Sequence, residues 1–166
     1  MGFSDHRQLW HGSFMIAEGP STIRRKLIDS LYVEAMVLAD ETRGYFDHLG
    51  REERETLCAL DRVAFSCESL KITTRLMHII AWLLTQRAVD AGELSTHDAC
   101  APGRRLGVGP ETNPAVMQGL PEQAIALIQA SQDLYRRVAR LDSAVDVPAD
   151  LASPARRMLD RLAGAF

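Results

Sequence analysis

The longest run without proline or glycine most constrains what this chain can fold into. Residues 51–91 contain neither residue, and Gly92 follows directly. Because proline and glycine are the residues that helix interiors tolerate least, this run predicts one long helix of about forty residues that ends at Gly92. Its first turn carries the carboxylates of Glu52, Glu53 and Glu55, which suit the positive end of a helix dipole.

A helix of that length is far above the usual average of roughly 11–12 residues, so it indicates a long bundle or a bend. Four hydroxyl residues cluster near its middle: Ser66, Ser69, Thr73 and Thr74. Such hydroxyls can hydrogen-bond to a carbonyl of the preceding turn and weaken the helix there. We therefore expect any bend to lie within residues 66–74.

Two other segments repeat apolar residues at helical spacing. Residues 21–49 begin with Ser21 as a candidate N-cap and end before Gly50, a typical stop signal. Pro121 stands where the first residue of a third helix would be, and that helix is predicted to end near Asp142. The apolar stripe of the first segment consists of Ile23, Leu27, Leu31, Ala35, Leu38, Tyr45 and Leu49, with Thr42 filling the gap.

The segment between the second and third helices is a predicted loop. Residues 93–120 carry four glycines and three prolines among polar residues. A chain of 166 residues suits one domain with a single core. We therefore predict an all-α fold, a three-helix bundle over residues 21–142 with one long central helix. A flexible arm (1–20) and a flexible tail (143–166) are expected on either side.

The most apolar part of the central helix, residues 68–89, is too short to cross a membrane. Its uncharged portion, residues 76–86, reaches about 16 Å, against roughly 30 Å of hydrocarbon. Apolar side chains surround this segment nearly completely, which is typical of a helix buried on several sides. Two shorter helices cannot cover it all, so the remainder needs a second copy of the chain or another protein, and we expect a homodimer. The candidates for core and dimer contacts are Leu76, Ile80, Trp82, Leu83 and Leu84.

Charge and cysteine content exclude several classes of protein. The net charge is −3 and the pI about 5.9, whereas a nucleic-acid-binding domain is expected to be basic. Cys58, Cys67 and Cys100 are odd in number and lack metal-binding spacing, which favours a reducing cytoplasm. The first twenty residues do not have the basic and apolar regions of a secretory signal.

No motif predicts a catalytic residue, a metal site or a cofactor, and we expect a protein that is not an enzyme. Glu93, His97 and Cys100 are the nearest approach to a metal site, but they mix ligand types within a predicted loop. His78, within the apolar helix, is typical of a core or interface histidine. The alternative is a helical bundle that binds a small molecule, possibly an enzyme, with its site near His78 and Trp82.

Three groups of arginine and lysine residues are candidates for partner binding. Arg24, Arg25 and Lys26 occupy the first turn of the first helix, where the dipole opposes cations. They form either a solvated face or a docking patch for an acidic partner. Arg104 and Arg105 would solvate their loop unless a partner binds them. The complete set of partner-binding candidates is Arg24, Arg25, Lys26, Arg104, Arg105, Arg156 and Arg157.

Residues 68–93 resemble a family of small alphaproteobacterial proteins, the regulators of CtrA degradation. The resemblance is carried by Glu68-Ser69-Leu70, Thr73-Thr74-Arg75-Leu76-Met77, Ala81-Trp82-Leu83-Leu84 and Gln86-Arg87-Ala88-Val89. It implies a homodimeric three-helix bundle that is an adaptor without catalytic activity. It also implies a role in delivering cell-cycle regulators to the ClpXP protease, together with a response-regulator-type partner at the cell pole.

Within the same stretch, helical spacing predicts two ion pairs. Glu68 lies one turn before Lys71, and Arg87 lies one turn before Asp90. Each would contribute only tenths of a kcal/mol if exposed.

Overall fold

The computed structural model describes residues 20–145. Three long helices form the fold: α1 (Pro20–Gly44), α3 (Ala59–Asp90) and α6 (Glu122–Val145). The shorter elements are a π-helical turn (Tyr45–Leu49), α2 (Gly50–Thr56), α4 (Thr96–Ala99), a 3-10 turn (Pro102–Arg104) and α5 (Pro114–Met117). Residues 20–145 contain no strand, and the prediction of an all-α bundle with one long central helix is confirmed.

The predicted arm and tail fall almost entirely outside the described residues. The exceptions are Pro20, which begins α1, and residues 143–145, which extend α6 past the predicted end at Asp142.

The prediction of one unbroken helix over residues 51–91 is wrong, because the chain leaves the helical conformation at Leu57 and Cys58. Their ψ angles are 151° and 162°. Leu57 packs against the core, and the sulfur of Cys58 accepts a hydrogen bond from the backbone N–H of Asp61 at 3.4 Å. Core packing and an N-cap thus separate α2 from α3.

The hydroxyl residues near the middle of α3 do not interrupt it. Ser66, Thr73 and Thr74 donate to the carbonyls four residues earlier, at 2.9–3.1 Å, as expected. The helix nevertheless runs on to Asp90. Gly92 then adopts a positive φ of 75°, a conformation that suits glycine at a helix end.

Gly50 does not end the first helical segment, because the chain continues through the π-helical turn into α2. A side chain at Gly50 would place its Cβ 2.9 Å from the Tyr45 ring, so the glycine permits close packing of that ring. The Tyr45 hydroxyl donates to Glu53. Burial, followed by the neighbouring Glu53 carboxylate, raises the pKa of Tyr45 above its ordinary value.

The core lies where α3 meets α1 and α6. Ile72, Ile79 and Leu83 of α3 are fully buried, and each such side chain contributes about 1.5–3 kcal/mol through burial. The predicted stripe of α1 is only partly correct. Its central members are buried, whereas Ile23, Leu27 and Leu49 at its ends are exposed. The buried members are Leu31, Ala35, Leu38, Thr42 and Tyr45.

Candidate interaction surface

The inner face of α3 carries a buried polar network that fixes the loop after α3. Arg75 is 1% exposed. Its guanidinium donates to the carbonyl of Pro110 at 2.8 Å, to Ser131 Oγ at 2.8 Å and to Thr112 Oγ1 at 2.6 Å. Thr112 in turn donates to Glu68 Oε2. Burial lowers the pKa of Arg75, and the Glu68 carboxylate opposes that change. The network connects α3, the loop and α6.

Glu68 also forms the predicted ion pair with Lys71, at 2.7 Å, and this prediction is confirmed. Sequence reasoning did not identify Glu68 and Arg75 as buried. The sequence does carry a signal of their burial, because both residues are in helical register with the core residues Ile72 and Ile79. Hydrogen bonds to Pro110 and Thr112 of the loop help to satisfy these charges, and only the folded loop supplies those bonds.

A second group of hydrogen bonds, centred on Asp142, attaches the loop after α3 to the bundle. The Asp142 carboxylate accepts hydrogen bonds from Trp82 Nε1 at 2.7 Å and from Arg105 Nε at 2.9 Å. Arg105 Nη2 also donates to the Asp142 carbonyl at 3.0 Å. The expectation that Arg105 merely solvates its loop is therefore wrong, since its guanidinium attaches the loop to α6.

Tyr135 and His78 hold the glycine-containing part of the loop. The Tyr135 hydroxyl accepts from the Gly109 N–H at 2.9 Å and donates to the Gly107 carbonyl at 2.8 Å. A Cβ at Gly107 would lie 2.9 Å from the His78 ring, so glycine lets the loop contact the imidazole. His78 therefore packs against the loop.

The indole of Trp82 is buried. Trp82 lines a cavity of about 470 Å³ with Arg24, Leu27 and Leu141, and His78 is not part of its lining. A cavity therefore adjoins Trp82 but not His78, and the alternative small-molecule site near these two residues stays a prediction.

The basic cluster at the start of α1 consists of Arg24, Arg25 and Lys26, and part of it contacts other residues of the same chain. Arg24 donates to Gln86 Oε1 at 2.6 Å and pairs with Asp90 at 3.3 Å. Lys26 also has an interaction partner. Arg25 is exposed and lines a charged cleft of about 310 Å³ that includes Asp29. All three side chains are exposed, so Arg24, Arg25 and Lys26 stay predicted partner-binding candidates.

The predicted pair of Arg87 with Asp90 is wrong. Arg87 Nε instead pairs with Asp29 at 3.0 Å, and its guanidinium lies 4.6 Å from the centre of the Tyr32 ring. Asp90 pairs with Arg24. Contacts across the α1–α3 interface therefore replace a contact within one helix.

Among the other basic candidates, Arg104 is exposed and donates to the Asp98 carbonyl at 3.2 Å. Arg156 and Arg157 lie outside the described residues.

The outer face of α3 exposes large apolar side chains at seven-residue spacing. Val63, Leu70, Met77 and Leu84 are 62%, 69%, 62% and 46% exposed. We call these four residues the α3 stripe. Four residues after each of them stands a small residue: Cys67, Thr74, Ala81 and Ala88. A seven-residue apolar repeat is typical of a helix that packs along another helix.

The α3 stripe agrees with the expectation that the shorter helices leave part of this helix uncovered. Leu76, Trp82 and Leu83 are buried in the core, Ile80 is half-buried, and Leu84 is exposed. The described residues cover one side of α3 and leave the stripe in contact with solvent.

Neither a metal-binding cluster nor a membrane-spanning helix lies within residues 20–145. No group of three or more histidine, cysteine or acidic side chains in this range is arranged to hold a metal ion. No described helix is both long and apolar enough to span a membrane.

Comparison with known proteins identifies the family. A family with the description "Protein of unknown function (DUF1465)" matches residues 20–166. No curated protein matches the sequence. Among solved structures, RcdA from Caulobacter crescentus CB15 is 36% identical, with coverage of 74% of this chain and 93% of that chain and a TM-score of 0.60. The resemblance carried by residues 68–93 is thereby confirmed, and the chain belongs to the RcdA (DUF1465) family.

Proposed function

We propose that this protein is a regulatory adaptor without catalytic activity that assists delivery of cell-cycle regulators to the ClpXP protease. Family membership and 36% identity to RcdA support the proposal. The family motif agrees with a scaffold role, because Glu68, Arg75, Trp82 and Gln86 make internal contacts that fix the bundle. A rigid bundle of this kind can present a surface to partners.

The α3 stripe is the observation that best supports an interaction role. The helix from Val63 to Ala88 is about 38 Å long, and the stripe and its small neighbours carry no charge. Contiguous exposed apolar surface of this kind marks a protein–protein interface in a soluble protein. Small residues beside large ones let two helix backbones approach each other closely. We propose that the stripe packs against the same stripe of a second copy and forms a homodimer.

The charge variant Met77→Glu tests the homodimer. A carboxylate at the middle of the stripe would be buried without a partner in the dimer, which is strongly unfavourable. In the monomer the same side chain is exposed, so the bundle should fold normally. Val108→Glu is the matched control, because Val108 is an exposed valine of the loop, outside the stripe.

Sedimentation equilibrium should give the dimer mass for the wild type and for Val108→Glu, and the monomer mass for Met77→Glu. A wild type that is monomeric, or a Met77→Glu variant that remains a dimer, would exclude this interface.

We propose that the unfoldase subunit of the protease contacts residues beyond α6. A chain that ends after Val145 is the appropriate truncation, since it keeps Asp142 and its contacts with Trp82 and Arg105. With purified unfoldase, the full chain should bind and the truncated chain should not, while circular dichroism shows that both are folded. Equal binding by both chains would contradict this contact and direct attention to Arg25 and Arg104.

A response-regulator-type partner and a cytoplasmic location at the cell pole complete the proposal. The family resemblance supports them. A fluorescent fusion that stays diffuse in dividing cells would contradict the polar location.

A further inference from the structure

The cavity of about 470 Å³ beside Trp82 lies at the end of the bundle where α1 begins and α6 ends. Ile28 and Trp82 form its base, since they are only 1% and 2% exposed. Leu27 is 42% exposed, and Val89 and Leu141 are half-buried, so these three side chains form walls that solvent reaches. We call the space between these five residues the terminal groove.

The terminal groove leaves apolar surface in contact with water. Leu27 belongs to the apolar stripe that the sequence predicts for α1, and the described residues do not cover it. At about 30 Å³ for each molecule, the groove has room for roughly fifteen waters. Because water against apolar surface is unfavourable, apolar side chains that replace these waters would lower the free energy.

The terminal groove and the α3 stripe lie on opposite faces of α3. Trp82 and Val89 are seven residues apart and both line the groove. Leu84 of the stripe follows Trp82 by two residues, which turns it about 200° around the helix axis. An occupant of the groove therefore leaves the proposed dimer surface free.

The arm that precedes α1 carries an apolar segment within reach of the groove. Three consecutive apolar residues stand four to six residues before Pro20: Phe14, Met15 and Ile16. Four residues of extended chain span up to about 13–14 Å. Leu27 lies seven residues after Pro20, which is about 10 Å along the axis of α1. The apolar segment therefore reaches the groove if the chain reverses direction before α1.

The residues directly before α1 suit such a reversal. Gly19 precedes Pro20, and glycine adopts the backbone conformations that tight turns require. Glu18 is the only charged residue within residues 12–19. A carboxylate is favourable near the N-terminus of a helix, and the exposed Arg24 lines the groove close by. The charge of Glu18 thus complements that of the groove rim.

The tail is a weaker candidate for the same groove. α6 ends at Val145, close to Leu141 of the groove. The first adjacent pair of large apolar residues in the tail, Met158 and Leu159, comes thirteen residues later. The effective concentration of a tethered segment falls as its tether lengthens, which favours the arm. The match to the family begins at residue 20, so the family resemblance implies nothing about the arm.

We propose that residues 14–16 of the arm occupy the terminal groove of their own chain. In an extended segment Phe14 and Ile16 point to the same side, so both enter the groove. Ile16 contacts Leu27, and Met15 points away from the groove. This contact limits the predicted flexible arm to the residues before Phe14. The proposal does not depend on the adaptor function.

A nuclear Overhauser effect between the methyl groups of Ile16 and Leu27 tests the contact directly. In the full chain with isotope-labelled isoleucine and leucine methyl groups, the effect should be visible because the two groups touch. A mixed sample, in which one copy carries labelled isoleucine and another copy labelled leucine, should not show it, because the contact lies within one chain. No effect in the first sample, or an effect in the mixed sample, would overturn the proposal.

The variants Ile16→Asp and Leu162→Asp distinguish the arm from the tail as the occupant. Ile16→Asp would place a carboxylate in an apolar groove, so it should displace the arm and shift the methyl signals of Leu27, Val89 and Leu141. Leu162→Asp is the matched control in the tail and should leave these signals unchanged. Signals that move with Leu162→Asp would assign the groove to the tail and overturn the proposal, and so would signals that stay unchanged with Ile16→Asp.

Discussion

Arg75 and Ser131 are joined by a buried hydrogen bond of 2.8 Å that connects α3 to α6. The same guanidinium holds Pro110 and Thr112 of the intervening loop. One side chain therefore links the central helix, the loop and the third helix of the bundle. Its charge is partly balanced by Glu68, whose Oε2 lies 4.0 Å from Arg75 Nη2.

Replacing Arg75 with methionine should destabilise the fold strongly. The change removes three hydrogen bonds and leaves the buried carboxylate of Glu68 with less compensation, which typically costs about 3–5 kcal/mol. Urea denaturation followed by circular dichroism measures the free energy of unfolding. Arg140→Met is the control, since Arg140 is exposed on α6 and a surface change is expected to stay within about 0.5 kcal/mol. Equal stability of the two variants would contradict the role of the network.

The double variant Glu68→Gln with Arg75→Met should cost less than the sum of the two single variants. Glu68 and Arg75 belong to one network, so their effects are coupled, typically by about 0.5–3 kcal/mol. The measurement is a double-mutant cycle by urea denaturation. Strict additivity would show that the two side chains act independently.

The raised pKa of Tyr45 predicts that the folded protein loses stability in alkaline solution. Burial and Glu53 raise the pKa of Tyr45 in the folded state, so the unfolded chain releases this proton at lower pH than the folded chain. The stabilisation is present below the unfolded pKa of about 10 and is lost as the pH rises above it. The Tyr45→Phe variant should lose less stability than the wild type between about pH 9 and 11. Parallel pH profiles would contradict this assignment.

Replacing Cys58, the N-cap residue of α3, with serine should stabilise the protein. The Cys58 thiol is a weak acceptor for the Asp61 N–H. Serine is among the preferred N-cap residues, so Cys58→Ser should raise the free energy of unfolding by about 0.5–1 kcal/mol. Cys58→Ala removes the cap and should have the opposite sign. A neutral result for both variants in urea denaturation would show that the cap contributes little.

Thr42→Val should stabilise the protein in the absence of any ligand. The variant removes a buried hydroxyl without a partner, and leaving such a group unsatisfied costs about 1–3 kcal/mol. Thermal unfolding should therefore show a higher midpoint for Thr42→Val than for the wild type. A lower midpoint would indicate that the hydroxyl is satisfied in solution.

Much of the fold could be predicted from local patterns in the sequence. Helical periodicity and the long run without glycine or proline identified the three main helices and the loop between the second and third. The break at Cys58 was not predictable in this way, because it depends on core packing of Leu57, a tertiary contact. Periodicity likewise marked α3 as apolar on most sides but did not distinguish the stripe from the core.

The polar contacts likewise divide into those that local sequence patterns predict and those that depend on tertiary packing. The pair of Glu68 with Lys71 lies within one helix and follows from the spacing of the two residues. Arg87, in contrast, pairs with Asp29 of another helix and not with Asp90 of its own. The role of Arg105 depends on the position of Asp142 after folding. Such partners are far apart in the sequence, and only the packed bundle brings them together.

The measurement that tests the proposed function most directly is degradation of a cell-cycle regulator by purified ClpXP, with its response-regulator-type partner present. The full chain should accelerate degradation, and the chain that ends after Val145 should not, although both fold. Val108→Glu should act like the wild type. Identical rates with and without the full chain would contradict the assignment of this protein as a protease adaptor.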